Sequence, residues 1–302
     1  MLSLIIPTYN GEKTIGECLK SVADQDLPSD QAEVIVIDDG SKDNTLSIIQ
    51  GFVKKFPFPL RYIHQENKGA NAARNLGIRE SKGDIFLFIG ADIILKPEVL
   101  RIHYEFHSKF KDCAVVGKTV AYPQFVSSPF SRFIVRNSKR NHKIMAKNWR
   151  NLAFNFFTTT NGSITKDVFK KAGEFYEDLR RYGWQDIEYG YRIKKSGVKI
   201  LFAKNALAYH YHPIDRDSFL KRMIQVGKSA HIVLKRHPEL KTFLGIHALN
   251  FIGDTLFFPG GKGEKFWLKM IKKAEIKKRE KVLFFLYNLL INHSYLKSYS
   301  RD

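Results

Sequence analysis

The chain has 302 residues, 44% of them hydrophobic, which allows one large α/β domain or a catalytic domain with a smaller appendage and excludes bulk disorder. Its two cysteines, Cys18 and Cys113, lie far apart, which excludes a disulfide framework and a cysteine-rich zinc site and agrees with a reducing cytosol. A formal net charge of +20 favours polyanionic partners: nucleic acid, anionic headgroups or phosphorylated substrates.

The first residues show no basic stretch and only a short apolar run, so a signal peptide is not predicted. The longest apolar stretch, residues 282–291, is about half of the roughly 20 residues that span a bilayer. The sequence therefore predicts a cytoplasmic protein and leaves attachment to the cytoplasmic face of a membrane open.

Short apolar runs alternate with helical patterns through the first 90 residues. Strands are predicted at 3–6, 33–37, 60–63 and 84–89, with helices at 12–24, after residue 43, and at 70–81. This alternation predicts an α/β fold with a mostly parallel sheet that is wound by helices on both faces.

The pattern is looser in the second part of the chain. A strand is predicted at 114–120, a basic and aromatic segment without a clear period at 122–155, and a short helix ending near Gly173. A helical segment at 182–196 and a strand at 198–202 follow, and from Pro213 the chain is predicted to be helical to about residue 237.

Polar clusters follow three of the predicted strands: Thr8-Tyr9-Asn10, Asp38-Asp39 and Asp92. In open sheets of this kind, ligands bind beyond the carboxyl ends of the strands. We therefore expect the three clusters to converge on one crevice.

The motifs together resemble those of a known family. They are Ile5-Ile6-Pro7-Thr8-Tyr9-Asn10, Val36-Ile37-Asp38-Asp39-Gly40-Ser41, Asn67-Lys68-Gly69 with Ala73-Arg74-Asn75, Phe88-Ile89-Gly90-Ala91-Asp92, Asn161-Gly162-Ser163 and Gly183-Trp184-Gln185-Asp186-Ile187-Glu188. In order and spacing this set resembles the family-2 inverting glycosyltransferases, which have the GT-A fold. The resemblance covers roughly residues 2–213.

The resemblance implies a domain organisation. A GT-A catalytic domain is expected at 1–213, with a nucleotide-sugar-binding half at 1–112 and an acceptor-binding half at 113–213. A basic helical region is expected at 214–302.

The donor site is expected at the strand ends. The Asp38-Asp39 pair can accept hydrogen bonds from a pyrimidine N–H and from ribose hydroxyls, and the resemblance assigns Asp39 to the base. Turn chemistry alone also explains Asp-Gly-Ser. The first strand-to-helix junction, with Pro7, Thr8, Tyr9 and Glu12, is expected to hold the base, although Tyr9 equally suits the edge of a core.

A second set of donor residues comes from the remaining motifs. The Arg74 guanidinium matches phosphate or ribose, and Gly69 permits a close approach of the backbone. A capped, exposed helix start explains this segment as well. The resemblance adds Asn67, Asn75, Ala91 and Asn161 to the donor-binding residues.

A divalent metal ion, Mn²⁺ or Mg²⁺, is the expected cofactor. The family usually carries Asp-x-Asp where this chain has Gly90-Ala91-Asp92, and the last aspartate usually contacts the metal. Because Mg²⁺ is commonly held by one or two carboxylates, we expect metal binding to persist on Asp92. His210 and His212 are the expected imidazole ligands. Since they alternate along an extended chain, only one, with His212 preferred, is expected to reach the metal.

The resemblance assigns the catalytic base to Asp186, and inversion by direct displacement requires such a base on the acceptor hydroxyl. A carboxylate stabilised by the helix dipole is the alternative explanation. Glu188 is the second catalytic candidate: it could orient the acceptor, pair with an arginine, or serve as a spare base.

The predicted function is metal-dependent transfer of a sugar from a nucleotide-diphosphate sugar, UDP-linked by family frequency, to a hydroxyl of a glycan or lipid-linked acceptor. Three other functional hypotheses stay open: a non-catalytic relative that binds nucleotide sugars, a sugar nucleotidyltransferase, and, remotely, a nucleic-acid-binding protein. A processive polysaccharide synthase is disfavoured, because no cluster of membrane helices and no Gln-x-x-Arg-Trp motif is found.

Residues 262–281 are strongly basic, with Trp267, Met270, Ile271 and Ala274 at helical spacing. One interpretation is a basic amphipathic helix that lies, through 262–291, on an anionic membrane surface. The other is a C-terminal helical hairpin packed on the catalytic domain with a solvated lysine face.

Overall fold

The computed structural model describes residues 1–180, 182–246, 248–259 and 263–299. The chain divides into two units. The first contains Met1–Phe125, Val135–Arg180 and Gln185–Pro213, and the second contains Val126–Ile134, Arg181–Trp184 and Ile214–Asp302.

An eight-stranded sheet lies in the first unit, with the order β3-β2-β1-β4-β7-β6-β8-β5. The strands are β1 (Leu2–Thr8), β2 (Ala32–Asp38), β3 (Leu60–His64), β4 (Ile85–Phe88), β5 (Ile93–Leu95), β6 (Cys113–Ala121), β7 (Gly162–Thr165) and β8 (Lys199–His210). The first four strands are mutually parallel, whereas β7 runs antiparallel to both β4 and β6, and β5 runs antiparallel to β8. The sheet is therefore parallel in its first half and mixed beyond β4.

The helices up to Pro213 are α1 (Ile15–Ala23), α2 (Thr45–Val53), α3 (Ala70–Glu80), α4 (Val99–Lys109), α5 (Pro129–Lys147), α6 (Lys166–Ala172) and α7 (Gln185–Lys195). Local chemistry sets both ends of α6. The Thr165 hydroxyl caps α6 by accepting from the Val168 N–H, and Gly173, with φ +79°, ends the helix as predicted.

The register of the parallel strands brings their carboxyl ends to one edge. Thr8 pairs with Asp38, and Asp38 pairs with His64. The Asp39 N–H then donates to the Thr8 carbonyl at 2.8 Å, so the polar clusters after β1 and β2 are held side by side.

Strand β1 extends through Pro7, beyond the predicted strand at 3–6. Pro7 pairs in register with Ile37 of β2, whereas the ladder to β4 ends at Ile5 and Phe88. Alternation along β1 turns the Pro7 nitrogen toward the β4 side, where no strand partner remains. The missing N–H therefore costs no ladder hydrogen bond.

The segment 122–155 holds a 19-residue helix, α5, that periodicity did not predict. Its buried apolar residues lie near its two ends, at Phe130 and Phe133 and again at Met145. The polar and basic middle of the helix interrupts the pattern that would have predicted it.

The second unit has its own apolar core. Its helices are α8 (Arg216–Arg236), α9 (Ala248–Phe257), α10 (Glu264–Ile276) and α11 (Glu280–Tyr299), together with the start of α5. The core is formed mainly by Phe130, Phe133, Phe258, Ile271, Ala274, Leu283, Leu286, Tyr287 and Leu290.

The apolar stripe, for which a membrane surface and a packed helical hairpin were the two interpretations, faces this core. Ile271 and Ala274 are buried, and Trp267 and Met270 pack against the same cluster. The stripe was correctly located on a helix, but its spacing reflects the pairing of α10 with α11. Lys262, the first residue of the predicted membrane-facing segment, lies outside the described residues.

None of the described helices combines the length and the hydropathy that are needed to cross a bilayer.

Candidate functional site

Two buried carboxylates stand at the end of β2, Asp38 as its last residue and Asp39 directly after it. Asp38 accepts hydrogen bonds from the Ser41 N–H, the Tyr62 hydroxyl and Nδ1 of His64, at 2.9, 2.9 and 3.1 Å. Burial raises the pKa of Asp38, but these hydrogen bonds outweigh it, so the pKa lies below its usual value. Asp38 therefore stays charged and anchors both its own turn and the neighbouring strand.

The Asp39 carboxylate binds backbone N–H groups of the loop that follows β3. Its Oδ1 accepts from the Lys68 N–H and from Nε2 of Gln65, and its Oδ2 accepts from the Gly69 N–H at 2.8 Å. A carboxylate offers about four acceptor positions, so Oδ2 retains capacity for one further donor. Asp39 thus has a structural role and room for one ligand N–H or O–H.

The first strand-to-helix junction presents its polar groups differently. Pro7 is half-buried, and the Tyr9 side chain is 52% exposed, so Tyr9 is not a core residue. The buried Thr8 hydroxyl has no hydrogen-bond partner among the described residues. Glu12 accepts from the Asn44 N–H at 3.2 Å and so ties this junction to the loop after β2.

Asn67 and Gly69 lie in the loop that Asp39 holds. Asn67 is exposed, and Gly69 has φ +93°, a conformation that glycine adopts without strain. The Gly69 carbonyl accepts the Ala73 N–H and so begins α3. The loop geometry thus depends on Asp39 and on glycine at position 69.

Arg74 is half-buried on α3 and incompletely partnered. Its Nη1 donates to Asn71 at 2.9 Å, whereas its Nε is buried with no partner among the described residues. Burial lowers the pKa of Arg74, and the charge of Asp186 opposes this shift. A guanidinium remains protonated in proteins, so this group lacks an anion at one of its donors.

Two asparagines assigned to the donor site are engaged within the protein. Asn75 is fully buried, with Nδ2 donating to the Phe175 carbonyl and Oδ1 accepting the Phe175 N–H. Asn161 is also fully buried, with Nδ2 donating to the Ala206 carbonyl and Oδ1 lying 3.0 Å from Nε2 of His103. Both therefore position backbone segments, and neither presents a free amide to a ligand.

Asp92, which follows β4, comes together with His210, the last residue of β8, and His212. Their nearest ligand atoms all lie within 4.8 Å of one another, and Nε2 of His210 lies 3.0 Å from Oδ2 of Asp92. Burial would raise the pKa of Asp92, but the hydrogen bond and charge of His210 and the charge of His212 hold it below its usual value.

The expectation that the two histidines face opposite ways is wrong. Their ring centroids are 4.1 Å apart. The alternation rule applies within a strand, and β8 ends at His210, after which the chain bends at His212. Both imidazoles can therefore reach the same ion.

Gly90 affects the orientation of Asp92. A Cβ at position 90 would lie 2.6 Å from Oδ1 of Asp92. The glycine therefore leaves space for the Asp92 carboxylate in the orientation that contacts His210. Between them, Ala91 is half-buried and packs against the core of the first unit.

Asp186 lies in the first turn of α7 and is held by two hydroxyls. Thr159 donates to Oδ1 at 2.7 Å, and Thr158 donates to Oδ2 at 3.1 Å. The side chain is only partly buried, so the remaining acceptor positions of the carboxylate are open to a ligand.

Glu188, in contrast, is buried and bonded at both oxygens to Arg192, at 2.7 and 3.0 Å. Of the three roles considered for Glu188, the structure shows the pairing with an arginine. That pair ties successive turns of α7 together, and a buried, bidentate carboxylate is poorly suited to act as a base.

Comparison with known proteins decides the family. The sequence model of glycosyl transferase family 2 matches residues 3–173, more than half of the chain. The chain belongs to glycosyl transferase family 2. Chondroitin synthase from Pasteurella multocida (strain Pm70) is 28% identical to this family-2 chain over an alignment of 259 residues, which covers 76% of the chain and 26% of the relative. The chain thus spans about a quarter of that relative's length.

Solved structures agree on the fold of this family-2 chain. A mannosyltransferase from Pyrobaculum calidifontis, solved with GDP-Man and Mn²⁺, matches with a TM-score of 0.69 at 18% identity, covering 100% of this chain and 88% of that one. S. aureus TarS 1-349, solved with UDP-GlcNAc, matches with a TM-score of 0.54 at 18% identity, covering 99% and 90%. The fold is GT-A, as predicted.

Sequence reasoning missed the residues that support the candidate base and the Asn161 motif of this family-2 chain. Thr158 and Thr159 stand in a run of three threonines directly before Asn161, and that run was the available signal. His103 and His107, one turn apart on α4, both lie 2.7 Å from the Ser163 hydroxyl and are buried. Their i, i+4 spacing was visible, but nothing in the sequence indicated Ser163 as a partner.

Proposed function

We propose that this chain is an inverting, metal-dependent glycosyltransferase. It would move a sugar from a nucleotide-diphosphate sugar, with UDP preferred, to a hydroxyl of a glycan or lipid-linked acceptor at the cytoplasmic face of a membrane. The observation that carries this proposal is the Asp92–His210–His212 cluster, whose nearest ligand atoms lie within 4.8 Å of one another. The family match and the GT-A fold support the reaction class.

The donor set fits a divalent ion. Nδ1 of His212 lies 2.9 Å from the Pro213 carbonyl, which can only accept, so Nδ1 is the donor there and Nε2 is the ring nitrogen that would bind a metal. One carboxylate with two imidazoles suits Mn²⁺ better than Mg²⁺, which prefers oxygen ligands. When bound, the ion would act as a Lewis acid on the leaving diphosphate.

Arg74 supports binding of the donor. Its guanidinium has a buried Nε without a partner among the described residues, and a diphosphate oxygen would satisfy that donor. The unpartnered Thr8 hydroxyl, the exposed Tyr9 ring and the remaining acceptor position of Asp39 could then receive the nucleoside. Similar structures bind either GDP-Man or UDP-GlcNAc, so the preference for UDP rests on the family resemblance.

Asp186 would serve as the base. Its carboxylate, held by Thr158 and Thr159, accepts the acceptor hydroxyl proton while the oxygen attacks the anomeric carbon and the diphosphate leaves. A single in-line displacement inverts the configuration and needs no covalent sugar–enzyme intermediate. The negative charge of Asp186 raises the pKa of Arg74 and so opposes the effect of burial. The candidate base and the candidate diphosphate-binding residue therefore interact electrostatically.

The first experiment is a calorimetric titration with UDP, GDP, dTDP and CMP, with and without Mn²⁺. We expect one nucleoside diphosphate to bind, with affinity that falls at least about tenfold when Mn²⁺ is removed or in Asp92→Asn and His210→Ala. The matched control is Asp167→Asn, an exposed carboxylate of α6 that follows β7, whose last residue pairs with the first residue of β4 at the opposite edge of the sheet. If no nucleotide binds under any condition, the donor site is absent and the proposal fails.

The second experiment separates transfer from binding. We expect Asp186→Asn to lower turnover by about a hundredfold or more while nucleotide affinity stays unchanged, because the amide keeps its shape but cannot accept the proton. Full activity of this variant would exclude Asp186 as the base. Nucleotide binding by the wild type without any sugar transfer would instead favour a non-catalytic relative, and formation of a sugar nucleotide would favour a nucleotidyltransferase.

A further inference from the structure

The second unit exposes several large apolar side chains on three of its helices. Exposed fractions are 75% for Leu256, 57% for Phe266, 56% for Ile252, 51% for Phe285 and 38% for Phe257. Trp267 is half-exposed beside them. These six residues are here called the apolar face. Of the stripe at Trp267, Met270, Ile271 and Ala274, only Trp267 belongs to this face as well, since its side chain packs on the core and is partly exposed.

The four aromatic residues of the apolar face are contiguous. The Phe257 ring centroid lies 5.8 Å from that of Trp267 and 5.9 Å from that of Phe285, and the Phe266 and Trp267 rings are 5.0 Å apart. Ile252 and Leu256 stand four residues apart on α9, so they share one side of that helix. The indole N–H of Trp267 donates to the Phe257 carbonyl at 2.9 Å, which fixes α10 against the end of α9.

Apart from Trp267, which packs against it, the side chains of the apolar face are not part of the core of the second unit. A folded protein rarely leaves a contiguous group of large apolar residues in water unless that surface binds something. Solvation alone therefore does not explain the apolar face.

Exposed cations accompany the apolar face on α10, on the connection to α11 and in the first turn of α11. They are Lys265, Lys269, Lys272, Lys273, Lys277, Lys278, Arg279 and Lys281. Among the residues that the structure describes, none of these eight has a carboxylate within salt-bridge distance. Of the acidic residues nearby, Glu264 pairs with Lys297, and Glu275 accepts the Tyr287 hydroxyl.

We propose that the apolar face and these cations bind the surface of an anionic phospholipid bilayer. Leucine, isoleucine and aromatic side chains can enter the boundary between headgroups and acyl chains, while the surrounding lysines meet anionic headgroups. A second copy of this chain is a poorer occupant, because it would bring eight like charges against eight. This attachment would be peripheral. The inference rests on the proposed function, in which the acceptor is linked to a lipid and therefore lies at the membrane.

The test is co-sedimentation of the full chain with phosphatidylcholine vesicles, with and without phosphatidylglycerol, in the absence of donor and acceptor. We expect partition that requires phosphatidylglycerol and weakens as salt increases. The variant Leu256→Ser/Phe285→Ser should partition at least about tenfold less, because it removes two large inserted side chains. Lys269→Glu/Lys273→Glu should have a similar effect.

The matched control is Leu46→Ser/Val53→Ser, which changes two exposed apolar residues of α2 in the first unit. Its partition should equal that of the wild type. All variants change exposed side chains, so their thermal midpoints and nucleotide binding should be unchanged, and any variant that fails this check is replaced by Phe266→Ser.

Absence of partition into anionic vesicles, or partition that the apolar variants leave unchanged, would overturn the inference. Loss of a dimer in these variants, seen by light scattering without vesicles, would assign the apolar face to a second copy and would also overturn it. Because the assay contains no substrate, its outcome is independent of whether Asp186 and Asp92 support transfer.

Discussion

Threonine hydroxyls determine how the Asp186 carboxylate is presented. Thr159 is buried and donates to Oδ1, and Thr158 donates to Oδ2. Both are β-branched, so their χ1 angles are restricted and the two donors are held in place before any substrate arrives. The orientation of the candidate base therefore depends on side chains that lie outside α7.

This arrangement predicts the effect of an isosteric change. Thr159→Val should lower kcat by about tenfold, because one Asp186 oxygen loses the donor that orients it, while nucleotide affinity stays the same. Thr119→Val is the control, since the buried Thr119 hydroxyl has no partner among the described residues. Equal kcat in both variants would show that Thr159 does not position the base.

Gly90 permits a second prediction at the scale of one residue. In Gly90→Ala the new Cβ displaces the Asp92 carboxylate from its contact with His210. We expect Mn²⁺-dependent nucleotide affinity to fall several-fold, measured by calorimetry, with little change in thermal stability. Gly51→Ala is the control, because a Cβ there has no neighbour within 4 Å. Unchanged affinity in Gly90→Ala would mean that Asp92 binds metal in another orientation.

Prediction from sequence succeeded for residues whose neighbours follow from strand order, and it failed where the partner is distant. Thr8 and Asp38 were expected to converge, because carboxyl ends of parallel strands share one edge, and they pair in register. Asn75 was not recognised as a buried clamp, since its partner Phe175 is 100 residues away and nothing local indicates it.

At the scale of elements, α4 and β7 are joined by a buried polar network. His103 and His107 of α4 share the Ser163 hydroxyl of β7, and His103 also contacts Asn161. Burial lowers the pKa of His103 to about 4. Burial and the charge of the neighbouring His103 lower the pKa of His107 to about 3. Both are therefore neutral at neutral pH.

This network predicts acid sensitivity. Because the folded-state pKa values lie below that of an unfolded histidine, about 6.5, the unfolded chain binds more protons. The contribution of these two histidines to the free energy of unfolding should be fully present above about pH 6.5. The free energy of unfolding should then fall by a few kcal/mol as the pH drops toward about 4. The check is urea unfolding at pH 7.5 and 5, where His107→Gln should reduce the difference. An undiminished difference in this variant would assign the effect to other groups.

Elements were predicted best where apolar spacing was regular along their whole length. The four parallel strands and α6 were found, whereas α5 was not, because its middle is polar. His210 and His212 illustrate a different failure: the period-two rule was applied across the end of β8, where the chain no longer follows it.

At the scale of the whole chain, the net charge of +20 indicated polyanionic partners but could not say where they bind. The same composition is compatible with a solvated surface or a docking surface. Only the fold separates the buried stripe of α10 from the exposed residues of α9, α10 and α11, because helical spacing alone does not reveal which apolar residues a neighbouring helix covers.

The hydrogen bonds that Asp39 accepts from the Lys68 and Gly69 N–H groups also have a kinetic consequence. The loop at 65–69 is already ordered before a donor binds, so a nucleotide would bind to a preorganised site. Its association rate should then contain no slow folding step of that loop. Differences among competing nucleotides should lie in their residence times.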